Sequence, residues 1–376
     1  MTDKLSISII CSIRNCLSET QNFLSSLNKY PFSFESELIL IDDGSDEETR
    51  GFLNTQTVSN AVLRNKESMG FAFSNNLGAS SANNEWLIFM NNDLILQPHW
   101  SVAFEEVVAE KMALKKLGCL GNVQLNPKTR KIDHVGVTFR NGIPEHIGRG
   151  ESSIPQDAFS EHLAVTGACL LVSRKVFRSV GGFDETYRTG FEDIDLCLRL
   201  SMLGYRHYVA NKSVVHHLGS STPERNDHQI HNSKLFYARW GRLITRFQEW
   251  ESMNRRGGLS NQSENRVKSK NMSFVLQRRE NFLFADKKLL TEFFNVFLIS
   301  GNLFAAQKIF SILDEIFGHE EDVVLKKVLL CKALGKEKQA YGILEEMVAK
   351  NEESFSAHLE WSRALLKEGK IIEAQN

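Results

Sequence analysis

Apolar and polar positions come in alternating blocks at the start of the chain. Leu5–Cys11 is a short, β-branched apolar run, and Glu37–Ile41, Ala61–Leu63 and Trp86–Met90 are further short apolar runs. Between them, Ser18–Asn28 and Phe71–Ala82 carry helical patterns. Strands alternating with helices predict a parallel sheet covered on both faces. Ligands of such sheets bind beyond the carboxyl ends of the strands. Polar clusters stand at two of those ends, Asp42-Asp43-Gly44-Ser45 and Asn91-Asn92-Asp93. Both are expected to face one crevice.

The pattern changes twice further on. Residues 251–273 are polar and almost free of apolar side chains, which reads as a linker between a domain at 1–250 and another at 274–376. Beyond it the periodicity is all-helical and repeats. Gly301/Ala306, Gly335/Ala340 and Gly369/Ala374 stand 34 residues apart, and Phe297, Cys331 and Leu365 keep the same register, as do Phe310 and Leu344. This period resembles a tetratricopeptide repeat, although the usual Pro near the repeat end is missing. Such stacks need a capping element, so either the natural chain continues past Asn376 or the sequence was cut there. The resemblance implies a concave surface for a protein partner.

Composition narrows the class. The chain has 376 residues, enough for two or three domains, with 42% hydrophobic and 24% charged residues, as in an ordinary soluble protein. A net charge of −1 gives no reason to expect nucleic acid. The six cysteines form no CxxC pair and mostly sit in apolar runs, which suggests reduced, buried thiols and a cytoplasmic location. The N-terminus does not read as a signal peptide, and no segment approaches a membrane span, so membrane contact is expected to be peripheral at most.

The acidic groups carry the candidate chemistry. Asp42 and Asp43 end a strand, where they suit either a helix-capping turn or hydrogen bonds to a base and ribose. Asn91-Asn92-Asp93 reads equally as a simple turn or as a site where a divalent metal pairs a buried carboxylate. Glu192, Asp193 and Asp195 open a helix with Leu196, Leu198, Leu200 and Leu203 on its apolar face. Acids there suit the helix dipole, yet they lie between Gly181-Gly182 and the pair His216-His217. A carboxylate near a metal can serve as general base, and a neutral imidazole can complete a metal shell.

Taken in order, SIIC with IRN, LILIDDGSDEET, NKESMGFAFSNNLGASSANNEWLIFMNNDLIL, VTGACLLVSRKVF, VGGFDETY, FEDIDLCLRLSMLGYR and VVHHLGSS resemble a family 2 glycosyltransferase over roughly Leu5–Trp240. The resemblance implies a GT-A (Rossmann-like) α/β domain followed by the all-α repeats. It implies transfer from a nucleotide-sugar donor, UDP-linked by preference, to a glycan, lipid-linked glycan or protein acceptor in bacterial surface glycosylation, with inversion at the anomeric carbon. Asp42 and Asp43 would contact base and ribose, and Asn76 and Gly78 would shape the donor pocket. Asn91-Asn92-Asp93 stands for the family's Asp-x-Asp, with Asp93 holding Mn²⁺ or Mg²⁺. Asp193 would be the general base and Glu192 its helper, with His216, preferred over His217, completing the metal site. The processive members' Gln-x-x-Arg-Trp is absent, although Arg239-Trp240 matches its last two residues. The alternatives are a nucleotidyltransferase, which gives the late segments no purpose, and a non-catalytic scaffold built on the repeats.

Overall fold

The computed structural model describes residues 6–56, 61–109, 114, 116–140, 143–219, 229–241, 243–244, 287–299, 303–350 and 355–367. The chain divides into two compact units, Met1–Arg279 and Glu280–Asn376. The linker expected at 251–273 lies outside the described residues.

In the first unit, β1 (Ser6–Ile13), β2 (Glu35–Asp43), β3 (Ala61–Asn65) and β4 (Trp86–Met90) are the runs anticipated from the pattern. They alternate with α1 (Leu17–Lys29), α2 (Glu47–Asn54) and α3 (Phe71–Ser81). β1 lies between β2 and β4 with both pairings parallel. It is buried along nearly its whole length, with Ile7, Ile9, Cys11 and Ile13 on one face and Ser8, Ile10 and Ser12 on the other. The chain first winds outward through β2 to β3, and α3 then carries it back to β4 on the other side of β1. The carboxyl ends of β1 and β4 therefore flank the point where the winding reverses, the usual place for a ligand crevice.

The sheet continues past β4 with mixed directions. It contains β6 (Leu117–Leu125), β10 (Phe159–His162), β11 (Cys169–Ser173) and β12 (Arg206–His217), and its order is β10-β12-β6-β11-β4-β1-β2-β3. The short β5 (Leu94–Leu96) pairs with β12, and β7 (Ile132–His134) pairs with β6. β8 (Val137–Arg140) and β9 (Ile143–His146) form a separate hairpin. Helices α4 (Val102–Val108), α5 (Arg174–Arg178) and α6 (Glu192–Met202) complete this part, with α7 at residues 229–241.

Two packing details fix the frame around the crevice. Gly78 brings α3 close to the sheet, since a Cβ there would stand 2.5 Å from Ile10 Cγ2 and 2.8 Å from Ile41 Cδ1. His207 has both ring nitrogens engaged by backbone: Cys119 N–H donates to Nδ1 at 3.0 Å, and Nε2–H meets Cys197 O at 2.8 Å. It thereby pins β12 to β6 and α6.

The second unit is helical, with α8 (Lys287–Ile299), α9 (Leu303–Phe317), α10 (Glu321–Ala333), α11 (Glu337–Lys350) and α12 (Phe355–Lys367). α8, α10 and α12 begin 34 residues apart, and so do α9 and α11. Phe297, Cys331 and Leu365 are buried, as are Phe310 and Leu344, and Ala306 and Ala340 are fully so. Gly335 turns between α10 and α11 at φ +71°, a conformation that favours glycine. Gly301, Gly369 and Ala374 lie outside the described residues.

Candidate active site

The β2 end of the crevice is a closed frame. Asp42 is buried, accepts Ser45 N–H at 2.8 Å, and faces Arg50 and Arg64 at 3.8 and 3.9 Å. Asp43 is also buried, and both its oxygens are engaged by the loop after β3. Asn65 Nδ2 and Met69 N–H donate to Oδ1, while Ser68 Oγ and Gly70 N–H donate to Oδ2, at 2.7 to 3.0 Å. Arg14 reaches from the end of β1 to the carbonyls of Asp43 and Gly44.

Asn76 and Gly78, expected to shape the donor pocket, both hold α3 in place. The Asn76 amide donates to Phe183 O and Glu185 Oε1 and accepts Phe183 N–H, tying α3 to the Gly181-Gly182 turn. Gly78 faces the sheet, as described above.

The β4 end is tied to the first turn of α6 through one loop. Asn91 N–H donates to Ala168 O at 2.9 Å, and the neighbouring Gly167 N–H donates to Asp193 Oδ2 at 2.8 Å. The Asn-Asn-Asp turn and the expected general base therefore hold adjacent residues of the same loop. Asn92 points elsewhere, donating to Thr20 Oγ1 on α1 at 2.9 Å. Asp193 is half-buried, whereas Glu192 is buried. Phe191 precedes them at φ 76°, an unusual conformation for a bulky residue that fits a constrained functional turn. α7 holds that turn, with Asn232 Nδ2 donating to Thr189 O and Gly190 O and Phe236 packed on Phe191.

Asp195, two residues after Asp193, has a different environment. It is fully buried and accepts Arg199 Nε at 2.6 Å, Arg239 Nη1 at 2.8 Å and Trp240 Nε1 at 2.9 Å. Arg239-Trp240, the fragment of the processive motif, thus anchors α7 to α6.

The histidine doublet resolves against the expectation. His217, not His216, faces Asp93. β12 pairs antiparallel with β5, His217 opposite Leu94, which sets His217 Nε2 3.4 Å from Asp93 Oδ1. Adjacent strand residues point to opposite faces, and His216 instead sets Nδ1 3.4 Å from Gln97 Nε2. His217 Nδ1 lies 2.9 Å from Asp133 Oδ2. Burial disfavours charge on this imidazole, but the two carboxylates outweigh it and push its pKa up to about 9. The hydrogen bond from His217 holds the Asp133 carboxyl below its ordinary value.

Asp133, His134 and His146 come from a segment to which the sequence reading gave no role. His134 Nε2 accepts Gly136 and Thr166 N–H at 3.1 and 3.3 Å. Its proton therefore sits on Nδ1, directed at His146 Nδ1 3.0 Å away. Burial lowers the pKa of both rings, and Asp193 is the strongest charge opposing this at His146. The run Ile132-Asp133-His134 carries no spacing that marks it as a site.

The donor set fits a divalent ion. Asp93 is a buried carboxylate and His217 an imidazole beside it. A site of carboxylate and imidazole suits Mn²⁺ and, with more oxygen ligands from a substrate, Mg²⁺.

Residues 8–181 match the model described as Glycosyl transferase family 2, and residues 145–275 match Glycosyl transferase family group 2. Over these residues the first unit is similar to family 2 glycosyltransferases. The domain is similar to the O-antigen biosynthesis protein RfbC of Myxococcus xanthus, 31% identical over 39% of this chain and 12% of that protein. It is also similar to the rhamnosyltransferase WbbL of Escherichia coli (strain K12), 28% identical over 53% of this chain and 76% of that protein. A crystal structure of GalNAc-T7 with UDP, GalNAc and Mn²⁺ aligns with a TM-score of 0.47 and 15% identity, over 58% of this chain and 44% of that one. The chain spans less than half the length of several curated relatives it matches. Among the described residues no helix is long and apolar enough to cross a membrane.

Proposed function

We propose that the chain is an inverting, metal-dependent glycosyltransferase that moves a sugar from a nucleotide-sugar donor to a glycan or protein acceptor in bacterial surface glycosylation. The observation that carries this reading is the shared loop. Through Gly167 and Ala168, Asp193 is held beside the Asn91–Asp93 turn, with His217 on the other side of Asp93. The names of the relatives, an O-antigen biosynthesis protein and a rhamnosyltransferase, agree with a surface-glycan acceptor.

The proposed division of labour follows from the contacts. The β2 frame shapes the nucleoside end of the crevice, with Asp42 and Asp43 holding its walls. Asp93 and His217 would hold the divalent ion, which when bound neutralises charge on the departing diphosphate. Asp193, half-exposed and fixed by Gly167 N–H, takes the proton of the acceptor hydroxyl as that oxygen attacks the anomeric carbon. Glu192 sits buried beside it and orients the turn. The helical unit, with pairs that start 34 residues apart, reads as tetratricopeptide-like and supplies a protein-binding surface.

Release of nucleoside diphosphate from UDP-, dTDP- and GDP-sugars, with Mn²⁺, Mg²⁺ or EDTA, tests the reading. Metal-dependent turnover of one donor, lost in Asp93→Ala and Asp193→Asn, is the expected result. No turnover and no donor binding in the native chain would sink it.

A further inference from the structure

Asp133 enters the site from β7, a strand outside the parallel half of the sheet. One of its oxygens meets His217 Nδ1 at 2.9 Å, and the other meets Arg149 Nη2 at 3.1 Å. The far nitrogen of the same imidazole points at Asp93 Oδ1, 3.4 Å away. Arg149, Asp133, His217 and Asp93 thus form one line of contacts from the exposed rim to the buried turn.

An imidazole can offer Nε2 as a ligand only when its proton is on Nδ1. A carboxylate that accepts from Nδ1 enforces that tautomer, fixes the ring plane and raises ligand basicity. We propose that Asp133 is the positioning residue of this site: it orients His217 with Nδ1–H on its own carboxylate and Nε2 toward Asp93, and so sets the affinity of the site for a divalent ion. The inference rests on the reading of Asp93 and His217 as metal ligands. Arg149 is largely exposed and orients Asp133 only weakly.

The test is Mn²⁺ binding to the full chain in the presence of UDP, followed by electron paramagnetic resonance. Free Mn²⁺ gives the affinity, and pulsed detection gives the ¹⁴N modulation of a coordinated imidazole. The native chain should show that modulation, and His217→Gln should lose it. Asp133→Ala should bind Mn²⁺ 10- to 100-fold more weakly with the modulation diminished. Asp133→Asn, which keeps an acceptor oxygen and the volume, should fall between and serves if the alanine variant does not fold. A merely structural role would lower the thermal midpoint without moving the ¹⁴N signature. Folded variants at Asp133 with native affinity and native modulation would overturn the proposal and leave the metal reading intact. Mn²⁺ binding by the native chain without ¹⁴N modulation would also overturn it, because His217 would not be a ligand. A native chain that binds no Mn²⁺ or Mg²⁺ would remove the metal reading itself, and this inference with it.

Discussion

Asp42 and Asp43 at the end of β2 meet the amides and side chains of their own neighbourhood, whereas Asp93 and Asp133 meet one imidazole between them. Asp43 alone takes four donors from the loop after β3. A carboxylate so engaged acts as a strut, since its lone pairs are committed before any ligand arrives. Across the crevice, His217 joins two carboxylates, Asp93 from the turn after β4 and Asp133 from β7. A protonated imidazole between them is one cation, and a divalent ion beside a neutral imidazole is another. The comparison separates carboxylates whose oxygens are committed to their own neighbourhood from carboxylates that share a single imidazole.

The sharpest way to break this division lies on α6. Asp193→Asn should lower kcat by about 10²- to 10⁴-fold, the usual contribution of a general base, with donor affinity and stability near native. Transfer within a few-fold of native would place the base elsewhere. Asp195→Asn, two positions on, should act on stability instead. It leaves Arg199 and Arg239 facing a neutral group, and breaking a buried pair of this kind costs about 3–5 kcal/mol. Urea unfolding of the two variants side by side checks both halves of the statement.

On the β2 side, Asp43→Ala removes the acceptor for two backbone amides and two side chains. The expected loss is about 1–3 kcal/mol, read as a lower urea midpoint, together with weaker nucleotide binding as the loop after β3 loosens. A variant with native stability and no nucleotide binding would move Asp43 from the frame to the ligand contacts.

The distinction was only partly legible in the sequence. β1 to β4 and the flanking α1 and α3 follow from the short apolar runs and the helical patterns between them, because strands of a parallel sheet covered on both faces carry apolar runs at their centres. The residues that keep the 34-residue register are buried in the helical unit. Three site features escaped because each depends on a distant partner. Asn76 shows its tie to the turn before α6 only when Phe183 and Glu185 meet its amide. Asp133 sits in a sequence with no distinguishing spacing and gains meaning only when β7 meets β6 and His217 arrives on β12. The doublet His216-His217 is settled by the register of β12 on β5, which no local pattern specifies.

A smaller effect concerns pH in the absence of metal. The His217 pKa rises from 6.5 to about 9 on folding. A group whose pKa is raised contributes stability that is fully present below the unfolded value and is lost as pH rises through the folded one. The Asp133 carboxyl moves the other way, so its contribution is present above its unfolded value and lost on acidification. Stability from this contact should therefore decline between pH 6.5 and about 9 in the native chain with EDTA. The thermal midpoint of His217→Gln should show no such decline over that interval, and parallel curves would remove the charge from the imidazole.

The finest test uses the neighbouring histidine. His216 shares the strand, the residue type and nearly the position of His217, but its ring lies by Gln97, and burial lowers its pKa where the carboxylates raise that of His217. His216→Ala should change Mn²⁺ affinity and donor turnover by less than about 2-fold, since surface-like substitutions away from such networks typically stay within about 0.5 kcal/mol. His217→Ala in the same assay should lose metal binding. Loss in His216→Ala with His217→Ala spared would mean that β12 shifts by one residue when the site is loaded, because a single-residue slip exchanges the faces of the whole strand. That outcome would carry Asp133 out of reach of its imidazole and make the pairing of β12 with β5, rather than the carboxylate, the element that selects the ligand.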